Sequence, residues 1–229
     1  MLWYRAWCET RARVAIAAVA LLAATALVWH SDWRVTGHGL SFASYVWSAA
    51  YNDSVKALFV LLAIVLGTGS LRQEQALGTA GFTLALPVRR WRILAVRAGI
   101  GLVELFALAA AVAIAVSVLS RAAGDGWPVA QALRYAVQWT ACAGLVLACA
   151  LLASIAIANE YVGWLITFLG FLAYEGAVGV TGLWRYPACD LYRLMSAGAD
   201  LPWAALAIVI AATGGVLAIG HLRLRARDF

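Results

Sequence analysis

Apolar residues fall into long runs with few interruptions, near 14–29, 53–71, 93–119, 133–157, 161–180 and 202–221. Each run reaches or approaches the roughly 20 residues that a helix needs to cross a bilayer core. The pattern predicts an all-α membrane protein with six transmembrane helices. Phe42, Tyr45, Val46, Trp47 and Tyr51 precede the second run. That helix is therefore expected to begin in an interface near residue 44, with Asn52, Asp53 and Lys56 in its outer turns or a bend. Only Asn159-Glu160 links the fourth and fifth runs, so those helices should form a tight antiparallel hairpin.

Ahead of the first run, Trp3, Ala6, Trp7, Thr10 and Val14 recur at helical spacing, with Arg5, Glu9, Arg11 and Arg13 on the polar faces. Residues 1–13 read either as an amphipathic helix lying at the headgroup level or as a basic flank of the first span. A signal peptide competes with the first span, but no small-residue cleavage site follows Trp29.

Composition narrows the class. The 229 residues are 65% hydrophobic and 12% charged, against about 25% charge in a soluble domain. One membrane domain, 1–229, accounts for the chain. The net charge of +6 is almost wholly arginine, Lys56 being the only lysine. The arginines gather at span ends, which speaks for topology rather than nucleic acid. With the amino terminus inside, the inner segments hold Arg5, Arg11, Arg13, Arg72, Arg89, Arg90, Arg92, Arg97, Arg223, Arg225 and Arg227. The outer segments hold fewer, diluted by five aspartates. Both termini are expected in the cytoplasm, with the chain in the inner (plasma) membrane. Cys8, Cys142, Cys149 and Cys189 have no metal or redox spacing. Cys142 and Cys149 read as small packing residues on one helix face. His30, His38 and His221 lie at span ends, too scattered for a metal site.

The segment Arg72–Arg92, RQEQALGTAGFTLALPVRRWR, is cytoplasmic by this topology yet mainly apolar up to Leu86. Such a loop must pack on the membrane, on its own bundle, or on another protein. Pro87 suits the first turn of a new helix, where its missing N–H costs nothing. The expectation is a short helix, a break at Leu86-Pro87, and a long third helix starting in the cytosol. The competing reading is a loop lying on anionic lipid with arginine anchors.

Glu74, Gly78-Thr79, the apolar run, Leu86-Pro87-Val88 and Arg90 followed by a long span resemble the pattern of the ABC type-2 (exporter) permease family. Leu66-Gly67-Thr68-Gly69 and the terminal Arg225-Ala226-Arg227-Asp228-Phe229 add to that resemblance. It covers nearly the whole chain. It implies a permease that pairs with a second permease chain, identical or homologous, and with two ABC ATPase subunits. Glu74, Gly78, Thr79, Leu86, Pro87 and Arg90 would form the coupling helix that docks on the ATPase. Residues 1–13 would be a connecting helix near the same subunit. The sequence contains no G-x-x-x-x-G-K-[S/T] phosphate cradle. ATP and Mg therefore belong to the partner ATPase, with no cofactor and no catalytic residues in this chain.

Glu104 and Glu175 lie inside the third and fifth spans. Ionisable residues at that depth should face protein or water. Each reads either as lining of a translocation path or proton-linked site, or as a structural contact. Gly170, Gly176, Gly179 and Gly182 surround Glu175, for close helix approach or for a helix break at a binding region. The aromatic and charged segment 181–201 reads as short re-entrant helices or as an interfacial belt. A membrane scaffold or sensor, and an intramembrane enzyme, are the alternatives to the permease. The enzyme lacks its H-E-x-x-H and G-x-S-x-G motifs.

Overall fold

The computed structural model describes residues 2–36, 45–52, 54–68, 90–122, 127–157, 159–186 and 202–225. Six α-helices run through them: α1 (Leu2–Thr36), α2 (Ser54–Thr68), α3 (Arg90–Ala122), α4 (Val129–Ala156), α5 (Glu160–Thr181) and α6 (Trp203–Arg225). A π-helical turn, Trp47–Asn52, precedes α2, and a 3-10 turn, Leu183–Arg185, follows α5. No strand occurs among the described residues.

Local chemistry sets several helix ends. Asn159 caps α5, its Oδ1 accepting from the Tyr161 N–H at 3.0 Å. Gly182 ends the same helix in the left-handed region at φ 72°, a conformation that costs glycine little. Pro128 stands at the N-cap of α4 and accepts from the N–H groups of Gln131 and Ala132. Ser120 Oγ accepts from the Trp127 N–H at 3.2 Å, tying the end of α3 to the start of α4.

Within the helices, hydroxyls turn back on their own backbone. Thr25, Thr68, Ser117, Thr140, Thr167 and Thr213 each donate to the carbonyl four residues earlier. A hydroxyl satisfied this way needs neither water nor a partner helix, which is what a hydrocarbon environment demands.

Contacts along each helix pair give the topology. Trp3 meets Gly99 and Thr10 meets Glu104, so α1 and α3 run parallel. Gly101 faces Leu147 while Gly144 faces Leu102, so α3 and α4 are antiparallel. Tyr51 meets Tyr135, Phe59 meets Trp139 and Gly67 meets Ala150, making α2 parallel to α4. Gly163 lies against Ala153 and Ser154, so α4 and α5 form an antiparallel hairpin. Ala205 and Leu206 pack with Ala141 and Cys142, and Gly220 with Ile155, so α6 follows α4. Successive helices thus alternate in direction. Because Gly220 also approaches Leu94, the start of α1 and the end of α6 lie at one end of the bundle.

Helix α4 is the centre. It packs on α2, α3, α5 and α6, burying Tyr135, Trp139, Ala143, Leu147 and Leu151. Glycines permit close approach here. A methyl added at Gly67 would sit 2.6 Å from Ala150 Cβ, one at Gly101 2.9 Å from Leu147 Cδ2, and one at Gly144 2.8 Å from Leu102 Cδ2. Leu147 and Leu102 each fill the space that a glycine on the facing helix leaves open.

Among the described residues five helices are long and apolar enough to cross a membrane: Thr10–Val28 within α1, Trp91–Ala122, Val129–Ala156, Tyr161–Thr181 and Trp203–Arg225. The remaining apolar helix, Val55–Thr68, is shorter and follows the π-helical turn. A π-turn carries an extra residue and rotates the side chains beyond it, which the sequence pattern near residues 44–56 shows only as a possible bend.

Two features add to the sequence reading. Residues 2–13 are one with the first span: α1 is an unbroken 35-residue helix, about 52 Å long at 1.5 Å per residue. No hinge separates an interfacial helix from the span, because nothing between Glu9 and Val14 breaks a helix. Of the two cysteines on α4, Cys142 is partly buried against the core whereas Cys149 is exposed. Seven residues leave a rotation of roughly 20° relative to an exact two-turn repeat, and the packing face of α4 does not include position 149.

Substituting Gly67→Ala should destabilise the bundle by about 1–3 kcal/mol through overpacking. Thermal unfolding of the detergent-purified protein reads this as a lowered midpoint. Ala150→Gly in the same chain should recover part of the loss, since Leu147 O and Leu151 N remain close to position 67. An unchanged midpoint in Gly67→Ala would show that α2 and α4 do not touch there.

Candidate functional site

The intramembrane acids occupy different seams. Glu104, on α3, is 1% exposed. Its Oε1 accepts a hydrogen bond from Thr10 Oγ1 of α1, and its Oε2 meets no partner. Gly99 and Gly101 lie about one turn earlier on the same helix, where Trp3 and Leu147 close over the backbone. Glu104 is therefore enclosed where α1 docks on α3, not displayed on an open wall.

Glu175, on α5, pairs with Lys56 of α2: Nζ to Oε2 is 3.2 Å. Lys56 is 13% exposed and Glu175 38%, so the lysine lies in the α2–α5 seam and the carboxylate at its mouth. The next turns of this seam hold Val60 and Ile64 against Trp164, Phe168 and Phe171. The outer part of the pair faces outward beside Leu172 and Tyr174, both exposed. Gly176, and likewise Gly170 and Gly179, have nothing within 4 Å of an added methyl. Among the described residues these glycines therefore neither break α5 nor serve close packing, the two roles that sequence suggests. They leave the outer face of α5 low and open.

Glu104 and Glu175 are thus not brought together. One contacts α1 and the other contacts α2, and Gly176 accompanies only the second. Of the proposed coupling positions, Arg90 is the first residue of α3. Glu74, Gly78, Thr79, Leu86 and Pro87 lie outside the described residues, as does the segment 187–201.

Beside the Lys56–Glu175 pair, α2 and α4 enclose an aromatic cluster that sequence reasoning did not single out. Tyr51 meets Tyr135 edge-on at 5.0 Å and Trp139 at 5.1 Å, and Phe59 stacks on Trp139 at 4.6 Å. Tyr51, Phe59 and Trp139 are fully buried. Tyr51 Oη and Trp139 Nε1 meet no hydrogen-bond partner among the described residues. The interplanar angles are those that aromatic quadrupoles favour, and the cluster ties the π-helical turn to α4. Its spacing was visible as Tyr51 and Phe59, eight apart, and Tyr135 and Trp139, four apart. What the sequence lacks is the register between them. The ion pair had a clearer signal: the chain's only lysine and an acid of opposite sign, both in apolar spans.

The chain is a polytopic α-helical membrane protein. No family model matches it, and no curated protein is significantly similar to it. Among the described residues no three His, Cys, Asp or Glu side chains gather as metal ligands.

The Thr10–Glu104 contact predicts a measurable coupling. Thr10→Val leaves a buried carboxyl without its donor and should cost about 1–3 kcal/mol. In a Glu104→Leu background the same change should cost less. A double-mutant cycle on unfolding midpoints checks this, and strict additivity would mean that the hydrogen bond does not form.

Proposed function

We propose that this protein is the membrane-spanning permease subunit of an ATP-driven ABC exporter. The observation that carries the reading is the Arg72–Arg92 segment between α2 and α3, with Glu74, Gly78-Thr79, an apolar run and Leu86-Pro87 ahead of a long helix. An alternating six-helix bundle whose two ends meet at one pole supports it. That pole also carries Arg90 at the start of α3 and Arg223 and Arg225 in the last turn of α6. Cationic side chains near a cytoplasmic boundary follow the positive-inside rule and suit the inner membrane with both termini in the cytoplasm.

In this mechanism the permease works as a homodimer or heterodimer, with ABC ATPase subunits on the cytoplasmic face. ATP binding closes the ATPase pair. The 74–92 segment passes that movement to α2 and α3, which flank it in sequence. Helix α3 in turn holds α1 through Glu104–Thr10 and α4 through its interlocked leucines and glycines. The bundle therefore offers a continuous packed route from the loop to the core. No covalent chemistry takes place in this chain.

Purification of the tagged protein from its own cell in mild detergent with ATP, followed by mass spectrometry, tests the reading. A P-loop ATPase should copurify in stoichiometric amount, and Leu86→Asp with Pro87→Gly should release it while the permease stays monodisperse. A monodisperse wild-type chain without any ATPase would overturn the exporter reading in favour of a scaffold or an enzyme. An undiminished complex with the double variant would overturn the coupling role of the 74–92 segment.

A further inference from the structure

The Lys56–Glu175 pair is placed asymmetrically. The ammonium is largely enclosed between α2 and α5, whereas more than a third of the glutamate surface is open. Glu175 lies six residues before the end of α5 at Thr181, about 9 Å along the axis. Charge at such depth in a membrane helix is retained where it meets protein, water or a polar ligand, because hydrocarbon tails cannot solvate it. Lys56 Nζ reaches the carboxylate through Oε2. The carboxylate is the group presented outward.

The surroundings favour one kind of occupant. Tyr174 and Leu172 are exposed beside Glu175, and the backbone at Gly176 and Gly179 is bare. An apolar body can therefore come close to α5 next to a carboxylate. Carboxylates and aromatic ring faces both attract cations. An anion approaching from this side would meet the glutamate before the enclosed lysine.

We propose that Glu175, positioned by Lys56, is the recognition group of a binding site for a lipophilic organic cation, an amine or quaternary centre carried on an apolar body, on the open face of α5. Lys56 acts as the internal counter-ion that holds the carboxylate in place until the ligand cation takes up its outer side. That the bound cation is also cargo rests on the exporter reading; the binding itself does not.

The test uses two probes of matched shape and opposite charge, tetraphenylphosphonium and tetraphenylborate, with the full chain in lipid nanodiscs and empty nanodiscs as background. Saturable binding of the phosphonium is expected. Glu175→Gln should weaken it by about tenfold or more, equivalent to 1.4 kcal/mol or more. Glu175→Asp should restore part of the affinity. Lys56→Gln should weaken binding, but by less than Glu175→Gln, because the carboxylate loses its positioning contact and keeps its charge. Size-exclusion profiles identify any variant that does not fold, and Glu175→Asp carries the comparison if Glu175→Gln is one of them: it should bind more weakly than wild type. Three results would overturn the site: equal phosphonium binding by wild type and all Glu175 variants, no saturable binding, or Lys56-dependent binding of the borate alone. None of these depends on whether an ATPase copurifies, so the site and the exporter reading can fail separately.

Discussion

Helices in a bilayer gain little from hiding apolar surface from one another, because lipid is as apolar as leucine; they associate by close van der Waals fit. The rest of this bundle depends on that fit along α4. Leu147 seats over Gly101, Leu102 over Gly144, and the backbone of α4 comes to Gly67 of α2 so closely that no side chain fits between. Through these contacts α4 holds both α2 and α3. Helix α1 packs on α3 and on α2 with its π-helical turn, and α5 and α6 pack on other sides of α4. The aromatic cluster of Tyr51, Phe59, Tyr135 and Trp139 locks the opposite end of the α2–α4 pair.

This arrangement divides the charged residues into two kinds. Glu104 is enclosed, joined to Thr10, and belongs to the joint between α1 and α3. Glu175 is joined to Lys56 yet still reaches the surface. Buried hydroxyls such as Thr25, Thr68 and Ser117 turn to their own helix backbone instead. A change in the seating of α1 on α3 must act on Glu104, and one in the seating of α5 on α2 must act on Glu175. The two sites report on different movements of the same bundle.

The glycines show why residue type alone misleads. Gly170, Gly176 and Gly179 cluster on one helix, but a methyl added at any of them would meet nothing within 4 Å among the described residues. Gly67, Gly101 and Gly144 are scattered over three helices and make the tight contacts. Glycine permits close approach without saying which surface approaches. Only the relative rotation of the helices settles that, and it follows from the packing of the whole bundle.

Sequence by itself determined the class, a polytopic helical membrane protein. Runs of about 20 apolar residues with so few charges have no stable place in water, and the Asn159-Glu160 link leaves α4 and α5 no partner arrangement but a hairpin. It also marked Glu104 and Glu175 as residues needing an explanation, because burying a charge is costly wherever the helix goes. It did not reveal that α1 continues unbroken through residue 13, since an amphipathic stretch and an apolar one share the same helical backbone. Nor did it show that a π-helical turn precedes α2. Tertiary structure alone decided that Thr10 meets Glu104 and that Lys56, 119 positions away, meets Glu175. Such pairings depend on helix order, direction and rotation about the axis. Hydropathy constrains rotation weakly in a membrane bundle, where both the lipid-facing and the inward-facing sides are apolar.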